Sequence, residues 1–140
     1  MFTHILIPTD LTDRTEPTLA LAVKMSRASN TRFTLLHVVQ TISAGRFDEF
    51  ESFYHRMEKR ARTQMADLVR RTAGADAAGV SPEVVFGKPA EEIVRFAAAH
   101  RADLIVLASH RIDVPGGQPD LGTVSYKVSF LAPCPILLVK

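Results

Sequence analysis

The chain has 140 residues, 46% of them hydrophobic, with 17 Lys and Arg against 15 Asp and Glu and a net charge of +2. That length suits one domain with a continuous core, and so balanced a charge gives no case for nucleic-acid binding. Cys134 is the single cysteine, which excludes an internal disulfide and a cysteine metal site; the apolar runs are strand-sized, so neither a signal peptide nor a membrane span is expected and a cytoplasmic protein is.

Thr3 to Asp10 reads as a first strand, apolar on both faces over Ile5–Pro8 and ending in a polar turn. Asp10 to Glu16 is rich in Thr and Asp, which cap helices, and Pro17 is tolerated only in a first turn, so a helix should start at Asp13 to Thr15. Leu19, Ala22, Val23 and Met25 to Ala28 form its apolar stripe, ending near Ser29-Asn30. His4 reads as an exposed edge residue as readily as a functional one.

Phe33–Val39 is a second strand, with His37 as a hydrogen-bonded core or strand-end histidine. Thr41 to Arg46 is a loop. From Phe47, apolar residues through Phe50, Phe53, Tyr54, Met57, Ala61, Met65, Leu68 and Val69 recur at three- and four-residue steps, which predicts one long amphipathic helix. Its opposite face carries Arg56, Lys59, Arg60, Arg62, Arg70 and Arg71 and reads as a solvated face. The aromatic first turns suit core packing, or covering a pocket or a partner. Ala73 to Val80 is a small-residue loop, Glu83–Phe86 a third strand, and Pro89-Ala90-Glu91-Glu92 opens a helix with proline and acids where the helix dipole favours them. That helix ends near His100-Arg101.

Leu104–Ala108 lies in an unbroken apolar run and predicts a strand buried on both faces. A loop with Pro115-Gly116-Gly117 follows, then an amphipathic segment from Leu121 to about Leu131, and finally the strand Ile136–Val139. Cys134, between two prolines, reads as a small apolar residue. Strand and helix alternate throughout, which implies an α/β domain with a parallel sheet and helices on both faces. Strand, glycine-bearing loop, helix N-terminus and strand can cradle a phosphate beyond the carboxyl ends of the strands; the same glycines would also serve an ordinary crossover.

Several segments together carry a family likeness. They are Ile5-Leu6-Ile7-Pro8-Thr9-Asp10, Leu35-Leu36-His37-Val38, Gly87-Lys88-Pro89-Ala90-Glu91-Glu92-Ile93, Ala102-Asp103-Leu104-Ile105-Val106, Gly122-Thr123-Val124-Ser125 and Ala132-Pro133-Cys134-Pro135-Ile136-Leu137-Leu138-Val139. In this order and spacing the whole chain resembles a universal stress protein. The resemblance implies a five-stranded parallel sheet of order 3-2-1-4-5 and a homodimer joined along the last strand, here Ile136, Leu137, Leu138 and Val139. It also implies an ATP site. Pro8, Thr9, Asp10 and Val38 would hold adenine and ribose; Ala108, Ser109 and Arg111 would line ribose and phosphates; Gly122, Thr123 and Val124 would meet the phosphate tail. Any Mg²⁺ would arrive with the phosphates rather than in a protein cage.

Three departures from the family motif stand out. Ala108 and Arg111 occupy positions where glycines belong, and ten residues rather than nine separate Arg111 from Gly122. Alanine is mild where φ is negative. Arg111 either pairs with a phosphate or fills the space a nucleotide needs. Ala108-Ser109-His110-Arg111 also resembles the filament-type F and G branch of the family, associated with ATP. Three classes result: an ATP-binding regulatory module, a nucleotide-free dimeric scaffold of the A type, and an enzyme. No P-loop, paired carboxylates or activated nucleophile can be placed by spacing, so no catalytic residue and no metal ligand is assigned.

Overall fold

The computed structural model describes residues 1–26, 30–41, 50–109 and 123–140. Within these residues, five strands alternate with four α-helices: β1 His4–Thr9, α1 Thr15–Met25, β2 Arg32–Gln40, α2 Glu51–Ala73, β3 Val80–Gly87, α3 Pro89–Ala99, β4 Leu104–Ala108, α4 Val124–Leu131 and β5 Ile136–Val139. All strand pairs are parallel, in the order β3-β2-β1-β4-β5. The fold class, sheet order and all five expected strands are therefore observed. The segment read as a loop before β3 is instead a 3₁₀ turn, Gly74–Gly79.

The continuous apolar runs in the sequence are explained by two cores, one on each face of the sheet. Side chains alternate along a strand. Ile5, Ile7, Leu35 and Val106 point to the side covered by α1 and α2, where they meet Leu19, Val23, Met65 and Leu68. Leu6, Leu36, Ile105 and Leu107 point to the other side, against Ile93 and Ala97 of α3 and Val128 of α4. Both faces of the central strands must be apolar because neither sees water.

Within α2, Tyr54, Ala61, Met65, Leu68 and Val69 form the buried stripe. Phe50 and Phe53, by contrast, are 37% and 46% exposed, so core packing accounts for Tyr54 and not for its aromatic neighbours. The basic face is solvated and partly paired along the helix: Arg62 with Glu58, Arg70 and Arg71 with Asp67, and Arg71 also with Glu16 of α1. Phe47 lies outside the described residues.

At the amino-terminal end of the sheet, His4 is buried rather than an exposed edge. Its Nδ1 lies 3.0 Å from the His100 carbonyl and must donate to it; Nε2, 2.7 Å from Thr34 Oγ1, is left to accept. The Asp103 carboxylate beside it accepts from the backbone N–H groups of Thr3 and His4 (2.8 and 3.0 Å) and from the Thr3 hydroxyl (3.0 Å). Cys134 is half-buried against the α3/α4 core, and burial raises its thiol pKa, which fits a packing residue rather than a nucleophile.

Candidate functional site

The sheet order reverses direction between β1 and β4: the chain moves from β1 outward through β2 to β3, then returns to place β4 on the other side of β1. Crossovers on either side of that point diverge to opposite faces, leaving a crevice above the carboxyl ends of the strands. A cavity of about 470 Å³ lies at this end of the molecule. Its wall takes Pro8, Thr9 and Asp10 from the end of β1, and Arg14 and Thr15 from the start of α1. Leu36, His37, Val38 and Gln40 of β2, Pro89 and Ile93 of α3, Leu107 and Ala108 of β4, and Thr123, Val124 and Ser125 at the start of α4 also line it.

The turn after β1 is organised by short side chains. The Thr9 hydroxyl is 2.5 Å from that of Thr15 and accepts the Leu11 N–H at 2.9 Å. Leu11 has φ +62°, a left-handed conformation costly for leucine, and this hydrogen bond helps hold it there. Asp10 Oδ1 accepts from the Thr12 N–H (3.0 Å) and hydroxyl (2.6 Å), closing an Asx turn. Asp10 therefore braces the loop and does not cap α1, whose N-cap is Arg14 with no side-chain cap bond. Its second carboxylate oxygen has no partner among the described residues.

His37 pairs in register with Thr9, and its Nδ1 lies 2.9 Å from the Thr9 carbonyl, so it donates there, as a strand-end histidine should. Across the cavity, Thr123 caps α4: its Oγ1 accepts the Tyr126 N–H at 3.3 Å and its carbonyl the Lys127 N–H at 3.1 Å. The N–H groups of Val124 and Ser125 in this first turn have no acceptor among the described residues, as a helix start requires. The cavity thus has apolar walls (Pro8, Leu36, Val38, Ile93, Leu107) suited to a flat ring. It also offers a carboxylate for hydroxyl groups and N–H donors plus a guanidinium for an anion.

Of the residues expected to hold a nucleotide, Pro8, Thr9, Asp10, Val38, Ala108, Thr123 and Val124 come together on this wall. Ser109 is not on it: the residue is buried, its N–H donates to the Val139 carbonyl at 2.7 Å, and its hydroxyl lies 3.5 Å from Lys140 Nζ. Arg111 and Gly122 lie outside the described residues. Arg14, His37, Gln40, Pro89 and Ser125 line the site without having been expected there. The signal was position: His37 and Gln40 lie in the carboxyl-terminal half of β2, and Arg14, Pro89 and Ser125 at helix starts on that side of the sheet.

Ile136, Leu137, Leu138 and Val139 form the edge strand β5, which among the described residues pairs only with β4, with Leu138 37% exposed. A second cavity, between the β1–α1 turn and α2, has Glu16 and Asp67 on its wall already paired with Arg71. Among the described residues, no group of three or more His, Cys, Asp or Glu side chains could hold a metal ion, and no helix is long and apolar enough to cross a membrane.

Comparison with known proteins places this geometry. The universal stress protein family model matches residues 1–140. The universal stress protein in QAH/OAS sulfhydrylase 3'region of Thermus aquaticus is 34% identical, and universal stress protein YxiE of Bacillus subtilis is 30% identical, each match spanning 100% of both chains. UspA of Lactobacillus plantarum superposes with a TM-score of 0.80 at 24% identity, over 99% of this chain and 97% of that one. A universal stress protein in complex with cAMP gives a TM-score of 0.74 at 19% identity, over 99% and 97% of the two chains. The universal stress protein of Archaeoglobus fulgidus in complex with dAMP gives 0.61 at 19% identity, over 99% and 98%. The last three similarities establish the shared fold; with the family match and the two relatives, the chain belongs to the universal stress protein family.

Proposed function

We propose that this protein is a regulatory member of its family that binds ATP at the carboxyl end of its sheet and acts as a nucleotide-responsive homodimer in the cytoplasm, without being an enzyme. The observation that carries the reading is the cavity, where residues from β1, β2, β4 and α4 converge with an apolar slot beside hydroxyl- and anion-binding groups. In this reading the adenine lies against Pro8, Val38 and Leu107, the second carboxylate oxygen of Asp10 takes a ribose hydroxyl, and the first turn of α4 faces the phosphates, with any Mg²⁺ carried by them. Support also comes from family members whose structures were solved with cAMP and with dAMP. The exposed edge of β5 supports self-association, because an open apolar edge invites pairing with a second copy.

Titration of the purified protein with ATP, ADP, AMP and cAMP by calorimetry tests the site, with micromolar ATP binding expected. Absence of binding by all four at millimolar concentration defeats the reading. A second reading, a nucleotide-free dimeric scaffold, is favoured by Ala108, whose side chain stands on the cavity wall where the family's nucleotide motif has glycine. That same null titration would support it.

A further inference from the structure

We infer that Arg14 is a phosphate-binding residue of this site and makes it selective for the charged nucleotide over the nucleoside; the inference rests on the nucleotide reading above. Arg14 stands on the cavity wall at the first turn of α1, apart from the glycine-loop region that the family motif marks. Its backbone is fixed: the carbonyl accepts both the N–H and the hydroxyl of Thr18, at 3.3 and 2.8 Å. Its guanidinium has no hydrogen-bond partner among the described residues. Arg62, Arg70, Arg71 and Arg95 each hold a carboxylate, whereas Arg14 has no ion-pair partner among the described residues.

Asp10, also on the wall, shares the same turn but forms no ion pair with Arg14; its Oδ1 accepts both donors of Thr12. A guanidinium with no ion-pair partner among the described residues, on the rim of a cavity whose other wall is the positive end of α4, suits an anion. A guanidinium matches a phosphate with two parallel N–H donors. Asp10 and Arg14 thereby divide the ligand: the carboxylate suits hydroxyl donors and the guanidinium suits phosphate oxygens.

The test compares ATP with adenosine on the wild-type protein, Arg14→Gln and Arg14→Lys. Arg14→Gln should weaken ATP about tenfold while adenosine stays within about twofold, and the salt dependence of ATP binding should flatten. Arg14→Lys, which keeps the charge and loses the fork, should fall between. Equal ATP affinity in the wild type and Arg14→Gln, or a parallel loss for ATP and adenosine, overturns the assignment. Failure of the nucleotide reading itself would appear earlier and separately, as a wild-type protein that binds neither ligand.

Discussion

Thr9→Val tests the turn that joins the sheet to its site. Valine matches threonine in shape and strand propensity, so the sheet and core are undisturbed and only the hydroxyl is lost. The Thr15 hydroxyl, on a residue 3% exposed, loses its partner, and the Leu11 N–H loses its acceptor. A buried polar group left unsatisfied costs about 1–3 kcal/mol. Leu11 is only half-buried, so water can reach its N–H and its share sits at the low end. The sum is about 2–4 kcal/mol, out of a total stability of about 5–15 kcal/mol for a domain. Urea denaturation followed by circular dichroism reads it as a lower midpoint at unchanged slope. Thr9→Ser should stay within about 1 kcal/mol of the wild type, because the hydroxyl remains. Replacing both threonines with valine should cost less than the two single changes added together, since each single change strands the other's hydroxyl. ATP affinity should fall with Thr9→Val, because the left-handed Leu11 turn carries Asp10 and Arg14. A Thr9→Val protein within about 0.5 kcal/mol of the wild type would refute the reasoning.

Three further outcomes are expected. Gly87→Ala should destabilise by about 1–3 kcal/mol, since Gly87 has φ +146° and a Cβ there would sit 2.7 Å from Glu92 Cγ, whereas Gly79→Ala, which meets no neighbour, should be near neutral in the same melts. Burial lowers the His4 pKa, with Arg32 and His100 opposing its charge and the His100 carbonyl and Asp103 favouring it. The neutral form is therefore the folded form, so stability is full above about pH 6.5 and declines as pH falls toward the lowered value. Burial would raise the Asp103 pKa, but the Thr3 and His4 hydrogen bonds outweigh it and hold it low. A second loss should accordingly begin below about pH 4, absent in Asp103→Asn; thermal melts with flat stability from pH 7 to pH 3 would contradict both. Leu138→Asp should convert a dimer to a monomer in sedimentation at micromolar concentration with little change in melting temperature, because Leu138 points out from an edge strand.

The sequence by itself determined the elements and their layering. Runs such as Leu104–Ala108 are apolar at every position, and only a strand buried on both faces needs that, so a parallel sheet with helices on both sides followed directly. The positions of Pro8, Asp10, Val38 and Thr123 on the cavity wall were legible through the family resemblance, and a parallel sheet, which brings all its strand ends to one edge, accounts for their meeting there. What the tertiary structure alone decided were matters of distance. Asp10 looked like a helix cap, yet its carboxylate closes on Thr12 two residues away. Ser109 sits beside site residues in the chain but is off the cavity wall, buried with its hydroxyl 3.5 Å from Lys140 Nζ at the end of β5. His4 carries no sequence mark of burial; it is enclosed because His100, at the end of a helix 96 residues away, supplies a carbonyl at hydrogen-bond distance. Arg14 was one polar residue among several in a turn, and only the fold sets it on the cavity wall with no ion-pair partner among the described residues. Periodicity reports which face of an element is buried, whereas these roles depend on partners far along the chain, and those are fixed only when the elements pack.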